Sequence, residues 1–212
     1  MNIRLLLGKF NLLIIICCYL IISPACAQSV KLFYDDGAVK SEGIIENELK
    51  QGKWIHYYPN GKKSAEEHYL NDLLDGLVVY YDTLGSVIGE ESWESGLLTD
   101  SARYYYSNGN IEKLGMYKEG MYKGKWLFYY ENGTLKREGV YQSGLPEGTW
   151  KFYNEQGIKI QEGKFLNGAE DGEWRFYDDK GILEYSGHYD SGVKTGDWYR
   201  YNKSGKKKKM RY

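Results

Sequence analysis

Glycine recurs along this chain at a constant spacing of 24 residues, and this period limits the fold more than any other feature. Self-similarity at a fixed period of 20 to 50 residues, as an approximate rule, indicates a fold in which one supersecondary unit is repeated. The eight glycines hold their register without an insertion. They are Gly37, Gly61, Gly85, Gly109, Gly133, Gly157, Gly181 and Gly205.

Aromatic residues follow the same period in three columns. The first column contains Tyr57, Tyr81, Tyr105, Tyr129, Tyr153, Tyr177 and Tyr201, and the second contains Trp54, Trp126, Trp150, Trp174 and Trp198. The third contains Tyr69, Trp93, Tyr117, Tyr141, Phe165 and Tyr189. Because the columns keep step with the glycines, we expect their main role to be packing between neighbouring units.

Each repeat is short and rich in residues that adopt positive φ, which predicts two antiparallel strands per unit. The first turn contains Asn-Gly, as in "YENG" ending at Gly133, which is the strongest short-range hairpin signal. The second turn, as in "YQSGLPEG", is expected to be longer and also contains glycine. The glycine frequency excludes helix over most of the chain. The expected fold is all-β: an array of hairpins in one elongated, twisted meander sheet.

Strand alternation places Trp126 and Phe128 on one face and Leu127 and Tyr129 on the other. With rings on both faces, we expect each unit to cover its neighbour's glycines with its own aromatic side chains rather than to build a thick core. The repeat domain is predicted to span residues 28–212, as about seven full units and a truncated last one.

The units "GKWLFYYENGTLKREGVYQSG" and "GEWRFYDDKGILEYSGHYDSG" resemble MORN-type repeats, in the variant found in bacteria. The resemblance extends from about Leu32 to Gly205. It implies a β-hairpin scaffold or interaction surface with no catalytic residues to carry over. Some bacterial members of this family are labelled antitoxins of toxin–antitoxin systems, and the resemblance suggests the same label here.

The first 27 residues have the order of a secretory signal peptide. Arg4 and Lys9 precede an apolar run from Phe10 to Ile22, and small residues follow up to Ala27, after which we expect cleavage. A membrane anchor would need a run of roughly 20 apolar residues, which is longer than the run from Phe10 to Ile22. Acylation of Cys26 in a lipoprotein is the minority alternative. The expected location is therefore exported: periplasmic, outer-membrane-associated or extracellular.

Charge and cysteine content exclude several kinds of function. The formal charge of −1 falls to −3 without the leader, which gives no reason to expect a nucleic-acid partner. All three cysteines, Cys17, Cys18 and Cys26, lie in the leader, so the mature chain is expected to contain no disulfide, thiolate metal site or cysteine nucleophile.

We found no pattern typical of catalysis, of a metal site or of a cofactor site, and the protein is expected not to be an enzyme. His56 occupies a position where other units have Phe or Tyr, which favours a structural ring, and His68 and His188 lie five units apart. The column formed by Glu42, Glu66, Glu90, Glu138 and Glu162 is interpreted as structural and partnered by Lys, Arg or backbone groups, because acid–base pairs need unlike environments.

The pattern breaks in the third and fourth units. Val78 and Ala102 replace the repeat Trp, Asp100 replaces a repeat Gly, and Trp93 replaces a Tyr. Trp93 and Asp100 are therefore the candidate contact patch, although drift in a tolerant repeat stays open. The basic terminus "GKKKKMRY" could contact a cell-wall polymer or a membrane surface, but edge protection by lysines is the preferred interpretation.

The expected function is a non-enzymatic exported scaffold that mediates protein–protein interaction in the bacterial envelope, with an unidentified protein partner. One alternative is a carbohydrate- or cell-wall-binding module, because exposed rows of Trp and Tyr would suit stacking on sugar rings. Another is an antitoxin or immunity protein. No cofactor is expected in any of these cases.

Overall fold

The computed structural model describes residues 27–210, which form strands connected by short turns and contain no helix. The predicted signal peptide, except for Ala27, lies outside the described residues. The strands are β1 (Gln28–Phe33), β2 (Val39–Glu46), β3 (Leu49–Tyr57), β4 (Lys63–Leu70), β5 (Leu73–Leu74), β6 (Gly76–Tyr81), β7 (Val87–Glu94), β8 (Leu97–Tyr105), β9 (Ile111–Lys118), β10 (Met121–Tyr129), β11 (Leu135–Gln142), β12 (Leu145–Tyr153), β13 (Lys159–Leu166), β14 (Ala169–Tyr177), β15 (Leu183–Asp190), β16 (Val193–Tyr201) and β17 (Lys207–Lys209).

All strands belong to one open, twisted, antiparallel sheet in which each strand pairs with its neighbours in the chain. β5 and β6 are two pieces of one strand position, and both pair with β4. The prediction of an all-β hairpin meander is confirmed. Because only consecutive strands pair, most contacts are made within a unit or with the next one.

The tight turn of each unit follows its second strand, contrary to the sequence prediction. Gln142 pairs directly with Leu145, so Ser143 and Gly144 form a two-residue hairpin turn with φ of 49° and 80°. Two successive residues at positive φ match the right-handed twist of the adjoining strands, and Gly tolerates this conformation without strain.

The Asn-Gly turn joins two antiparallel strands, as predicted, but it is the longer of the two turns, so the prediction that the second turn is longer is wrong. Residues Tyr130 to Thr134 connect β10 to β11, with Tyr130 N donating to Thr134 O at 2.8 Å and Gly133 N donating to Tyr130 O at 2.9 Å. Within this turn Gly133 has φ of 84°, and the Asn132 side chain accepts a hydrogen bond from Thr134 N. This is the pattern of a type I turn closed by a left-handed glycine.

The second glycine column lies inside strands rather than in turns. Gly148, with φ of 67°, is in the middle of β12. Glu138 pairs with Lys151 and Val140 with Glu147, so one residue of β11 faces three residues of β12. The extra residues form a β-bulge that recurs in every unit and increases the local twist of the sheet.

The two faces of the sheet differ in chemistry. The tryptophan face carries the five repeat tryptophans, which are 0 to 4% exposed, and Val78 and Ala102 are equally buried at the same repeat position. The opposite, glutamate face carries the column of Glu42, Glu66, Glu90, Glu138 and Glu162, whose side chains are partly exposed. The buried part of the protein is therefore one aromatic layer on a single sheet.

Candidate interaction site

The regular units are held together by a tryptophan that lies on a glycine of the preceding strand. Trp150 covers Gly139, and any Cβ at Gly139 would overlap the indole ring. The indole Nε1 donates to Val140 O at 3.2 Å. The same arrangement joins Trp54 to Gly43, Trp126 to Gly115, Trp174 to Gly163 and Trp198 to Gly187. Glycine is required at these positions because the ring occupies the space of a side chain.

Neighbouring rings complete the layer around each tryptophan. Trp150 meets Tyr141 and Phe165 edge to face, with ring centroids 5.0 and 5.8 Å apart, and stacks with Phe152 at 6.2 Å. Aromatic pairs of this geometry add about 0.5–1.5 kcal/mol beyond the burial of their area. The prediction that rings of one unit cover glycines of its neighbour is confirmed.

Two units lack this arrangement, and in both the glycine and the tryptophan are replaced together. Glu67 and Glu91 stand at the glycine position, while Val78 and Ala102 stand at the tryptophan position. We call these four residues the window of the tryptophan face. Because Val78 and Ala102 are smaller than tryptophan, they leave room for the glutamate side chain of the preceding strand.

Polar rings surround the window carboxylates. The Tyr104 hydroxyl donates to Glu91 at 2.5 Å, and Trp93 Nε1 donates to the same carboxylate at 3.1 Å. His56 Nε2 lies 2.7 Å from Glu67, and the Tyr69 hydroxyl donates to Glu67 at 2.7 Å. The regular units have Phe128, Phe152 and Phe176 at the repeat position of His56 and Tyr104. The polar replacements therefore form two polar groups, one around each window carboxylate.

Burial and hydrogen bonding perturb the titration of this set. Burial raises the pKa of Glu67, but hydrogen bonds from His56 and Tyr69 outweigh burial, so the pKa of the carboxyl lies below its usual value. Burial, followed by the hydrogen bond to Glu91, raises the pKa of the Tyr104 hydroxyl far above its usual value. The arrangement therefore favours an ionised Glu67 carboxylate that accepts a hydrogen bond from a neutral Tyr69.

The structure treats the two predicted contact residues differently. Trp93 is half-buried and donates a hydrogen bond to Glu91, so it contacts the window directly. Asp100 is exposed and adopts φ of 53° at the bulge of β8, where most units have glycine. Its backbone pairs with Tyr117 of β9. Asp100 therefore lies in the same strand as Ala102 of the window, at a strained backbone position beside it.

The remaining repeat residues occupy structural positions. Gly61, Gly85, Gly109, Gly133, Gly157 and Gly181 adopt φ between 78° and 93° in the longer turns. The Tyr column lies on the glutamate face, where hydroxyls of Tyr57, Tyr105, Tyr153 and Tyr177 donate to Glu42, Glu90, Glu138 and Glu162. Hydrogen bonds from Lys53 and Lys63 lower the pKa of Glu66 to about 2. Sequence reasoning anticipated the cationic partners of this column and missed its tyrosines.

Sequence reasoning also missed Glu67 and Glu91, although a signal was available. Gly43, Gly115, Gly139, Gly163 and Gly187 form a further column of period 24, broken at these two glutamates. His56 stacks on Trp54, as expected for a structural ring, with centroids 6.4 Å apart, and it also pairs with Glu67. In residues 27–210 no cluster of three metal-ligating side chains occurs, and no helix is long and apolar enough to cross a membrane.

Comparison with known proteins identifies the repeat. The family model for the MORN repeat variant matches residues 50–71, 101–119, 122–143, 146–167 and 170–191. The chain belongs to the MORN repeat variant family. MORN repeats generally mediate contacts with proteins or membranes, and the family is typically non-catalytic. The model passes over residues 72–100, which include Val78, Glu91 and Trp93 of the window region.

Other comparisons add little. No curated protein sequence matches the chain. Among solved structures, the chain is similar to a crystal structure of the GtfA/B complex bound to UDP and GlcNAc, with 13% identity over 64% of this chain and 26% of that one and a TM-score of 0.23. It is also similar to a crystal structure of TcdB2-TccC3, with 14% identity over 82% and 13% of the two chains and a TM-score of 0.19. The chain spans about a quarter or less of the length of these structures.

Proposed function

We propose that this protein is an exported, non-enzymatic scaffold that binds a protein partner in the bacterial envelope through the tryptophan face. The window around Glu67 and Glu91 would select the partner. One observation carries the proposal: Glu91 and Trp93, in the segment 72–100 that the family model passes over, form a hydrogen-bonded polar set with Tyr104 within an otherwise hydrocarbon-rich layer.

Specificity in a repeat protein requires a position that differs from the others. Along the regular units every part of the tryptophan face presents similar rings, so a partner could bind in several registers. The window replaces phenylalanine rings in this layer by hydroxyls and carboxylates, which would fix one register by hydrogen bonding and charge.

Export is supported by the order of charged, apolar and small residues in the first 27 positions. β1 begins at Gln28, so the expected cleavage after Ala27 would leave every strand intact. The carbohydrate alternative is disfavoured because the tryptophans that would stack on sugar rings are 0 to 4% exposed. An immunity role is compatible with the proposal, because it would be one form of protein contact.

A photo-crosslinking experiment tests this proposal. A benzoylphenylalanine side chain is placed at Trp93 in one variant and at Phe165, the same repeat position in a regular unit, in a matched variant. Irradiation of intact cells should give a discrete adduct with an envelope protein from the Trp93 position and little from the Phe165 position. Equal adducts from both positions, or none from either, would contradict a partner site at the window.

A further inference from the structure

The last two units enclose an open concavity of about 710 Å³ whose lining is strongly basic. It lies between the longer turns of these units and β17 and is lined by five cationic side chains, those of Arg200, Lys203, Lys206, Lys207 and Lys208. The carboxylates of Asp178 and Glu184 are the two acidic groups of its lining. The formal charge of the lining is therefore positive, in a protein that is slightly acidic overall.

The two carboxylates do not neutralise this charge. Asp178 accepts hydrogen bonds from the backbone N atoms of Lys180 and Ile182, so its carboxylate is directed at its own turn. Glu184 lies 3.9 Å from Arg200, with both side chains substantially exposed. An exposed ion pair at that distance contributes little.

The pairing of β16 with β17 places like charges opposite each other. Arg200 is the cross-strand partner of Lys208. Charged cross-strand pairs elsewhere in the described sheet join opposite signs, as in Lys31 with Glu42, Glu162 with Arg175 and Lys164 with Asp171. Like charges directly opposite each other destabilise a strand pair. An anion bound between Arg200 and Lys208 would remove this repulsion.

The repeat supplies an internal reference for the basic turn. Lys62 and Lys63 occupy the same repeat positions as Lys206 and Lys207, six periods earlier. There Lys63 forms an ion pair with Glu66, and Lys62 donates to Leu84 O at 2.6 Å. At the last unit the position of Glu66 is taken by Met210, so Lys207, the equivalent of Lys63, lacks that carboxylate.

We propose that this concavity is a binding site for a multivalent, phosphate-bearing anion. Several lysines and one arginine around an open hollow suit a ligand with several negative oxygens, because ammonium and guanidinium groups form charge-assisted hydrogen bonds with phosphate. The ligand's source is either a free polyphosphate or a phosphate-bearing lipid headgroup. The site is separate from the window of the tryptophan face.

Binding of inorganic tripolyphosphate to the full chain, measured by calorimetry at low ionic strength, tests the proposal. Lys206→Glu should weaken binding by roughly 10- to 30-fold, because a reversal changes two charges worth about 1 kcal/mol each near an anion. Lys62→Glu, at the same repeat position in a balanced unit, should leave binding unchanged. Both lysines are exposed, so neither change should prevent folding.

A stability measurement separates a site from diffuse attraction. Lys208→Glu should raise the midpoint of thermal unfolding without ligand, because it converts the like-charged pair with Arg200 into an attractive one. Tripolyphosphate should raise the midpoint of the wild-type chain and have little effect on K208E. Sedimentation with vesicles of phosphatidylcholine containing phosphatidylglycerol identifies the lipid source, if K206E again loses binding and K62E does not.

The outcomes are distinct. Binding of either probe with selective loss in K206E supports the site and names its source. Equal loss in K206E and K62E, or no binding of either probe at low ionic strength, would overturn the proposal.

Discussion

The regular units and the window solve the same packing problem with different chemistry. In a regular unit, such as the one with Gly139 and Trp150, an indole covers a bare backbone and donates one hydrogen bond to it. In the window the larger side chain, Glu91, stands at the glycine position and the smaller one, Ala102, at the tryptophan position. The Glu91 carboxylate accepts hydrogen bonds from Tyr104 and Trp93. The backbone register is nearly the same in both. The fold therefore tolerates different side chains at the glycine and tryptophan positions, provided that both positions change together.

This difference teaches where the array can vary without losing its fold. Burying a carboxylate is costly unless hydrogen bonds satisfy it. The window meets this condition with rings borrowed from the Phe and Tyr columns. Substitutions at four repeat positions can thus create a polar site within the aromatic layer.

The largest expected effect is removal of a regular tryptophan. Trp150→Ala should lower the free energy of unfolding by about 3–5 kcal/mol, because a buried indole leaves a cavity that a single sheet layer fills poorly. Val78→Ala, at the same position in the window, should cost about 2 kcal/mol. Urea denaturation followed by circular dichroism measures both values. Equal losses would show that the two kinds of unit do not differ in packing.

Rebuilding a regular unit inside the window tests the coupling of the pair. Ala102→Trp alone should destabilise by about 2–3 kcal/mol, because the indole meets the Glu91 side chain. Adding Glu91→Gly and Tyr104→Phe should recover about 2 kcal/mol, since coupled residues in contact show interaction energies of this size. Thermal and urea unfolding of the single, double and triple variants give the interaction energy. Simple additivity would contradict the coupling.

Adding a methyl group under the ring should cost less than removing the ring. Gly139→Ala should destabilise by about 2 kcal/mol, because the new Cβ overlaps the Trp150 indole. Gly89→Ala is the matched control, since its Cβ would lie 3.3 and 3.4 Å from Tyr80 and Tyr104 ring atoms. The control should change stability by less than about 1 kcal/mol. A reversed order would mean that the ring of Trp150 moves freely.

The lowered pKa of Glu66, on the glutamate face, predicts that the stability of the protein depends on pH. The pKa of Glu66 is lowered to about 2, so the folded state binds its proton more weakly than the unfolded chain. The stabilisation is fully present above the unfolded pKa of 4.5 and is lost as pH falls towards about 2. Because Glu66 is partly exposed, solvent screening limits the effect to about 1 kcal/mol.

The measurement is the urea midpoint between pH 6 and pH 2.5. Glu66→Gln should flatten the profile, and so should joint replacement of Lys53 and Lys63 by Met, which removes the cause of the pKa shift. Wild-type and Glu66→Gln profiles that coincide would contradict the assignment.

The smallest effect concerns the backbone beside the window. Asp100 holds φ of 53° where Gly124 holds 66° in the next unit. Asp100→Gly should raise the free energy of unfolding by about 0.5–1 kcal/mol by relieving left-handed strain. Gly124→Asp should lower it by a similar amount in a regular unit. Urea titrations of the two variants compare the same exchange in both settings, and a loss in Asp100→Gly would show that its side chain has a stabilising contact.

Much of the fold could be predicted from sequence, because the period is carried by glycine and tryptophan, which have few alternative structural roles at these positions. Glycines such as Gly133 and Gly157 must serve chain reversals, and Trp126 and Trp150 must be covered by neighbours, so the antiparallel meander followed. The candidate site was found only as an irregularity. Val78, Ala102 and Trp93 were recognised as departures from the repeat. Glu67 and Glu91 also interrupt a glycine column, but their hydrogen-bond partners are known only when the strand register is known.

The sequence by itself determined the 24-residue unit, its two strands and their aromatic columns, because side-chain periodicity and glycine conformations are local properties. Only the tertiary structure decided which turn is tight and which glycine lies beneath which ring. It also joined Glu91 to Tyr104 across neighbouring strands. The physical reason is the bulge at Gly148 and its equivalents, which sets the register of adjacent strands through hydrogen bonds between them.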